Sequence, residues 1–255
     1  RREKPMSESI LVAEGLSRYF GGLAAVSGLT IDLVCGEIHA VIGPNGAGKS
    51  TLINLLSGQM APSSGSIRYD GTDIVGYSPD RIARLGIARS FQRVNVFPEF
   101  SIFENCRLAA QAGLTSSLRF FRSALSFREL NDSAERVIAL VGLRDTGRAA
   151  HALSHGERRQ LEIAMTLATR PKVLLLDEPL AGMGADEGAV IVRLIEALGR
   201  DHAVLLVEHD MDAVFSVAQR LTVMVNGRII ETGAQAVVRV HPEVRKAYLG
   251  SEELA

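Results

Sequence analysis

The residues best suited to chemistry lie in the stretch GPNGAGKST, which fits the phosphate-loop pattern G-x-x-x-x-G-K-S/T from Gly43 to Ser50. Glycines at this spacing let backbone N–H groups approach phosphate oxygens, Lys49 can reach the terminal phosphates, and the Ser50 hydroxyl is a ligand suited to Mg²⁺. A glycine-rich turn without a ligand would require neither the lysine nor the hydroxyl. The pattern predicts a phosphate and Mg²⁺ site formed by Gly43, Pro44, Asn45, Gly46, Ala47, Gly48, Lys49, Ser50 and Thr51.

Two adjacent carboxylates, Asp177 and Glu178, end the apolar stretch VLLLDE. Ligands of an open parallel sheet bind at the carboxyl ends of its strands, so both side chains are expected beside the phosphate loop. Neighbouring strand residues point in opposite directions, which allows one carboxylate to serve a metal and the other a water molecule. A cation is needed, because two buried neighbouring carboxylates raise each other's pKa and Glu178 would cease to be an effective base. The alternative is a solvated acidic pair at a strand end.

The stretch LSHGE, residues 153–157, has the form of a capping box, with Ser154 as the helix N-cap and Glu157 three residues later. Gly156 is unexpected there, because glycine inside a helix costs about 1 kcal/mol relative to alanine. A first-turn glycine indicates that something comes close to the backbone. Since a helix start with bare N–H groups is a ready anion site, we predict that Ser154 and Gly156 bind an anion while the capping box holds the helix start.

The elements that must position these residues alternate between apolar strands and helices. The phosphate loop follows the strand EIHAVIG and precedes the helix KSTLINLLSG, and KVLLLDE and HAVLLVEH are further buried strands. This alternation predicts an α/β fold with a parallel sheet covered on both faces. Turn signals at Asp70-Gly71 and Asn226-Gly227 predict hairpins, and residues from about 80 to 170 are expected to be helical.

Composition is that of an ordinary globular protein: 255 residues, 47% hydrophobic and 22% charged, with a net charge of −1. The charge balance argues against nucleic-acid binding by bulk charge, and we expect no nucleic-acid partner. No apolar run reaches the roughly 18 residues that a membrane-spanning helix needs. The first residues, RREKPMSES, lack the apolar segment of a secretory signal. We expect a cytoplasmic protein.

Over residues 10 to 250 the chain resembles the ATP-binding cassette (ABC) ATPases, a family of the phosphate-loop NTPase fold. Besides the phosphate loop and VLLLDE it has SFQ ending at Gln92, LSHGE one helix before VLLLDE, and VEHD with His209. The guanine motif Asn-Lys-x-Asp of small GTPases does not occur. The resemblance implies one ABC ATPase domain: a RecA-like core with an antiparallel β subdomain (about 10–92 and 171–235), an inserted helical subdomain (about 93–170) and a C-terminal tail (236–250).

The resemblance also implies roles in ATP binding and hydrolysis. Phe20 in RYFGG would stack on adenine, with Tyr19 as the alternative. Ser154 and Gly156 would face the γ-phosphate of an ATP held by a second subunit, so that two ATP molecules lie in a head-to-tail dimer. The remaining implied roles are Glu178 polarising the attacking water, His209 contacting the γ-phosphate, Gln92 approaching Mg²⁺ and the water, and Ser50, Gln92 and Asp177 serving the metal.

The chain departs from the common family pattern in three places. In the segment LSHGE, His155 and Glu157 replace the Gly and Gln that are usual in the family, which should leave the anion site intact. Gly184 stands where many relatives have Asp, so the resemblance does not imply the family's detailed communication between the two ATP sites at this position. Residues 116–130 add Arg and Phe in alternation, which favours a mixed helix with Phe inward and Arg in solvent over a membrane or partner contact.

Within the family, the stretches GGLAAVSGLTIDL, IARSFQ, VEHDM and HPEVRKAYLG resemble the ATPase subunits of importers for branched-chain amino acids and related polar solutes such as urea. The implied partners are two transmembrane permease subunits, a second ABC ATPase and a solute-binding protein, with this chain peripheral on the cytoplasmic face of the membrane. A lipid- or lipopolysaccharide-exporting ATPase is the alternative within transport. A soluble cassette protein of DNA repair or translation is the alternative outside it.

Overall fold

The protein's structure is a computed structural model that describes residues 9–90, 95–112 and 128–248. The strands there are β1 (Ser9–Phe20), β2 (Leu23–Val34), β3 (Glu37–Ile42), β4 (Ser64–Tyr69), β5 (Thr72–Asp73), β6 (Ile87–Arg89), β7 (Val173–Asp177), β8 (Ala203–Val207), β9 (Arg220–Val225) and β10 (Arg228–Gly233). The α-helices are α1 (Lys49–Leu56), α2 (Pro79–Leu85), α3 (Ile102–Ala112), α4 (Arg128–Val141), α5 (His155–Ala168), α6 (Ala185–Leu198), α7 (Met211–Val217), α8 (Gln235–Val238) and α9 (Pro242–Tyr248).

A mostly parallel sheet forms the centre, with the strand order β10-β9-β3-β8-β7-β6. Only β9 and β10 pair antiparallel among the described strands of this sheet. Alternate residues of its strands enter two different hydrophobic cores: Leu174 and Leu176 face one, and Val173 and Leu175 face the other. Both faces of the sheet are therefore covered, as the unbroken apolar strands predicted.

A second, antiparallel sheet has the strand order β2-β1-β4-β5 and shares a core with α1 and one face of the central sheet. Its β4–β5 turn is Asp70-Gly71, with φ of 47° and 75°. In the central sheet the β9–β10 turn is Asn226-Gly227, with φ of 49° and 76°. Both predicted hairpins are confirmed, each with the positive φ at two successive residues that favours Asn or Asp followed by Gly.

Helices α3, α4 and α5 pack against one another and bury their apolar faces in the other core. The prediction of helix throughout residues 80 to 170 is wrong at β6, a three-residue strand that pairs with β7 at the sheet edge. Most of the arginine- and phenylalanine-rich segment 116–130 lies outside the described residues. No helix in the described ranges is both long enough and apolar enough to cross a membrane.

Candidate active site

The phosphate loop joins the end of β3 to the start of α1, and its glycines have the backbone conformations that the predicted pattern requires. Gly46 and Gly48 have φ of 80° and 102°, and Gly48 is the N-cap of α1. A Cβ on Gly48 would lie 2.3 Å from the Ala25 carbonyl oxygen, and one on Gly43 would lie 2.1 Å from the Met224 carbonyl oxygen. Two of the glycines are thus also required because neighbouring strands press against the loop.

The loop forms one wall of a cavity of about 520 Å³. Of the predicted residues, Asn45 to Thr51 and Glu178 line it; Gly43 and Pro44 do not. The other lining residues are Leu23, Ala24, Ala25 and Asn226, which come from the start of β2 and the β9–β10 turn. The cavity brings the loop and Glu178 together, as predicted for that strand end, whereas Asp177, the other predicted carboxylate, does not line it.

Lys49 is buried and folds back over the loop, where its Nζ donates to the carbonyl oxygens of Gly43 (2.5 Å) and Pro44 (3.1 Å). Burial lowers the pKa of Lys49, and the carboxylates of Glu178 and Asp177 act in the opposite direction. A cation held by carbonyl oxygens and facing two carboxylates is placed to receive an anion without long-range rearrangement.

Asp177 is fully buried at the end of β7. Its Oδ2 accepts a hydrogen bond from Arg89 at 2.9 Å, whereas its Oδ1 has no hydrogen-bond partner among the described residues. Burial raises the pKa of Asp177, although the Arg89 guanidinium opposes that shift. An orphaned buried carboxylate oxygen is unfavourable, so this atom is suited to a cation that the site acquires with its substrate.

Glu178 has φ of 48°, a left-handed conformation that is rare for a residue with a side chain. Its N–H donates to the Val207 carbonyl at 2.8 Å, which fixes it to the neighbouring strand β8, and its residue lines the cavity. Such a conformation costs about 1–3 kcal/mol and persists where the surrounding structure enforces it. The strand ends at this turn, and Glu178 lines the same cavity as Lys49 and Ser50.

His209 follows β8, and its side chain is 64% exposed. Its Nδ1 lies 3.6 Å from Oε2 of Glu208, a fully buried carboxylate that accepts from the N–H groups of Leu180 (2.7 Å) and His209 (3.1 Å). Burial raises the pKa of Glu208. Glu208 thereby ties the loop after β7 to the residue after β8, and His209 itself does not line the cavity.

The predicted capping box at α5 is confirmed: the Glu157 N–H donates to Ser154 Oγ, and the Ser154 N–H donates to the Glu157 carboxylate. Neither Ser154 nor Gly156 lines the cavity. Both donate to one oxygen of Glu187, a residue in the first turn of α6, at 3.3 Å from Ser154 Oγ and 3.2 Å from the Gly156 N–H. The anion found at this helix start is therefore a carboxylate of the same chain.

The two aromatic candidates lie at the end of β1, and neither lines the cavity. Phe20 is 45% exposed, pairs with Leu23 of β2, and has the Arg18 guanidinium 5.0 Å from its ring centroid. Tyr19 is 47% exposed. Leu23 and Ala24, the β2 partners of Phe20 and Tyr19, line the cavity, so the end of β1 lies near its rim. Gln92 lies outside the described residues.

Sequence reasoning did not assign Arg89, Glu187, Glu208 or Asn226 to the site, although all of them lie at or around it. Glu208 could have been found, because AVLLVE repeats the pattern of VLLLDE, an apolar strand ending in a carboxylate. Arg89 belongs to the strand that was missed. The sequence indicates for Glu187 only an acidic residue in the first turn of a helix, which is common there. Its contact with α5 depends on tertiary structure alone.

The phosphate loop, the buried aspartate and the cavity-lining glutamate together define a nucleotide-binding site of the phosphate-loop class. The family model described as ABC transporter matches residues 26–181. The high-affinity branched-chain amino acid transport ATP-binding protein BraF of Pseudomonas aeruginosa is 40% identical over 96% of this chain and 99% of its own length. LivG of Escherichia coli, with the same description, is 38% identical over 96% of this chain and 99% of its own length.

Solved structures show the same fold. The ADP conformation of MJ1267, an ATP-binding cassette of an ABC transporter, superposes with a TM-score of 0.83 at 30% identity, covering 95% of this chain and 99% of that one. A nucleotide-free ATP-binding cassette from an ABC transporter also gives a TM-score of 0.83 at 30% identity, covering 94% and 98%. The chain belongs to the ABC transporter family and is an ATPase of its nucleotide-binding cassette type. The α/β cassette fold expected from the resemblance is confirmed.

Proposed function

We propose that the chain is the ATP-hydrolysing subunit of an importer that takes up branched-chain amino acids or a related small polar solute. The observation that carries the enzymatic part is the cavity that Glu178 shares with Lys49 and Ser50, in which Glu178 is the one carboxylate among the described lining residues. The full-length similarity to BraF and LivG supports the importer and the solute class.

In the proposed mechanism the loop N–H groups and Lys49 hold the β- and γ-phosphates of ATP, with the charge of Lys49 stabilising the transferring phosphoryl group. Lys49 must exchange its carbonyl contacts for phosphate oxygens. Glu178 accepts a hydrogen bond from the attacking water and polarises it. His209 is proposed to contact the γ-phosphate and to align the water, Gln92 to approach Mg²⁺ and the water, and Phe20 to stack on adenine.

The residues at the cavity fit Mg²⁺. Magnesium sites in phosphate-transferring enzymes use one or two protein oxygens together with substrate phosphates and water. Ser50 lines the cavity, and Asp177, which does not line it, has a buried Oδ1 with no hydrogen-bond partner among the described residues. We assign Ser50 and Asp177 to the metal, with Gln92 as a further ligand, and the ion would supply neutralisation of phosphate charge.

A second subunit is proposed to complete each site. Ser154 and Gly156 offer an anion two donors at the start of α5, yet they do not line the chain's own cavity. Donors that stay away from the chain's own ATP are suited to an ATP held by another cassette. This supports a head-to-tail dimer around two ATP molecules, with a second ABC ATPase that is either the same chain or a different one.

The importer would further contain two transmembrane permease subunits and a solute-binding protein, and this chain would lie peripherally on the cytoplasmic face of the membrane. We also propose the domain division given above, in which residues of about 93–170 form a helical subdomain inserted into the core. Packing of α3, α4 and α5 against one another supports that division.

Replacement of Glu178 by Gln tests the enzymatic part, because the amide keeps the size and removes the base. We expect Glu178→Gln to bind ATP, to lose about 100-fold or more of its hydrolysis rate, and to accumulate an ATP-dependent dimer. Glu135→Gln, at an exposed carboxylate of α4 that does not line the cavity, is the matched control and should hydrolyse ATP like the wild type. Hydrolysis by Glu178→Gln within about threefold of the wild type removes Glu178 from this role.

Purification of the tagged chain from detergent-solubilised membranes tests the importer. We expect it to bring two polytopic membrane proteins and a second ATPase. The solute-binding protein of the same system should bind leucine, isoleucine or valine in a direct binding screen. Recovery of the chain alone from the soluble fraction contradicts the transporter, and recovery with membrane proteins but a lipid ligand favours an exporter.

A further inference from the structure

The start of α5 already binds an anion, the carboxylate of Glu187 from the first turn of α6. One oxygen, Oε1, accepts both from Ser154 Oγ at 3.3 Å and from the Gly156 N–H at 3.2 Å. The Ser154 hydroxyl is at the same time the acceptor for the Glu157 N–H, so its donor and acceptor capacities are both used. A backbone N–H and a hydroxyl that converge on one carboxylate oxygen are the donors proposed above for the γ-phosphate.

Gly156 makes this contact possible. A Cβ at Gly156 would lie 2.8 Å from both Cδ and Oε1 of Glu187 and 3.0 Å from its Cγ. The carboxylate therefore occupies the space that the absent side chain leaves open, directly against the backbone. A phosphate bound to the same N–H would need that space.

We propose that Glu187 is a positioning residue of the ATP site. Its carboxylate is an internal anion that holds Ser154 Oγ and the Gly156 N–H, and it competes for them with the γ-phosphate of the ATP that the facing subunit holds. This inference rests on the proposed function. Two anions cannot share the Gly156 N–H at hydrogen-bond distance, because they overlap and repel each other. ATP-driven closure of the dimer consequently requires the Glu187 side chain to leave. While Glu187 occupies the site it lowers the apparent ATP affinity for closure, in proportion to the fraction of chains in which the site is free.

A simpler role for Glu187 is to interact with the positive end of its own helix, since it lies in the first turn of α6. Asp186 precedes it in the same turn and is exposed to solvent. Both acids share the interaction with the helix dipole, whereas Glu187 also contacts Ser154 and Gly156. Replacement of Asp186 by Asn is therefore a matched control that removes an equal charge from the same turn.

The test measures ATP-dependent dimerisation in the Glu178→Gln background, in which hydrolysis does not consume the ligand. The full-length chain, with the second cassette if one copurifies, is titrated with Mg-ATP and followed by sedimentation velocity. We expect Glu187→Gln to lower the ATP concentration for half-maximal dimerisation by about three- to tenfold, and Asp186→Asn to leave it within about 1.5-fold. ATP binding to the isolated monomer should be the same in all three proteins.

An unchanged or higher half-maximal ATP concentration for Glu187→Gln overturns the inference, as does an equal effect of Asp186→Asn. Absence of any ATP-dependent dimer in the Glu178→Gln parent is a different failure: it removes the proposed function, and the inference falls with it. Amide hydrogen exchange gives a readout at the contact itself. In the ATP-free chain the segment 154–158 should exchange faster in Glu187→Ala, which removes the acceptor oxygen, than in the parent, and equal rates also overturn the inference.

Discussion

Replacement of Gly156 by Ala should give a protein that is as stable as the wild type and inactive. Alanine inside a helix is favoured over glycine by about 0.5–1 kcal/mol. The new Cβ would meet the flexible end of Glu187 at 2.8 Å, so the carboxylate moves away and two hydrogen bonds are lost. At these exposed and partly buried positions each contributes about 0.5 kcal/mol, the low end of the usual range, so the gain and the loss nearly cancel. The free energy of unfolding should stay within about 1 kcal/mol of the wild type.

The same methyl group excludes a phosphate oxygen from the Gly156 N–H, so steady-state ATP hydrolysis should fall by about 100-fold or more. Urea unfolding, phosphate release and ATP binding to the monomer are the three measurements. Gly188→Ala is the matched control, because Gly188 lies in α6 and a Cβ there would meet no atom of the described residues within 4 Å. It should gain stability and keep its activity. A loss of more than about 3 kcal/mol in Gly156→Ala would make the glycine a packing requirement, and activity within about threefold of wild type would show that no ligand approaches it.

Three further changes test other parts of the site and fold. Ser154→Arg should abolish hydrolysis while the monomer still binds ATP; loss of monomer binding would favour a purely structural capping box. Asp177→Asn should raise the Mg²⁺ concentration for half-maximal hydrolysis by about tenfold or more, and an unchanged Mg²⁺ titration would contradict its role. Burial lowers the pKa of His39 from 6.5 to about 3, so the unfolded chain binds the proton more readily. The stability that neutral His39 contributes is present above pH 6.5 and falls by about 2 kcal/mol by pH 5. Urea unfolding should show a smaller loss between these pH values in His39→Gln than in the wild type.

The sequence predicted those features that local patterns encode. The apolar runs before Ile42 and Asp177 could only be buried strands, and two-residue turns with Asn or Asp before Gly predicted both hairpins. The capping box at Ser154 was predicted from two residues three apart and is present in full. In each case the physical cause acts within a few residues, so a single sequence contains it.

Features that depend on the packing of distant segments were missed. The strand β6 has three residues, too few for any period to be recognised, and it becomes a strand because β7 offers it an edge. The pairing of Arg89 with Asp177 follows from that strand. The sequence indicated that something approaches Gly156, but it could not identify Glu187, which lies 31 residues further along the chain. Which acid of α6 reaches α5 depends on how the two helices pack.

The candidate active site is held in an unfavourable arrangement while it contains protein groups alone. Asp177 has a buried oxygen with no partner in the part of the chain that the structure describes, and Glu178 has a left-handed backbone conformation. Lys49 is buried with a lowered pKa. A phosphate beside Lys49 and a cation beside Asp177 would each supply the missing charge, whereas neither would relieve the backbone of Glu178. Because ligands that bind only the folded state stabilise it, Mg-ATP should raise the unfolding temperature more than ATP with a chelator. Asp177→Asn should remove that difference, since the amide no longer needs the cation.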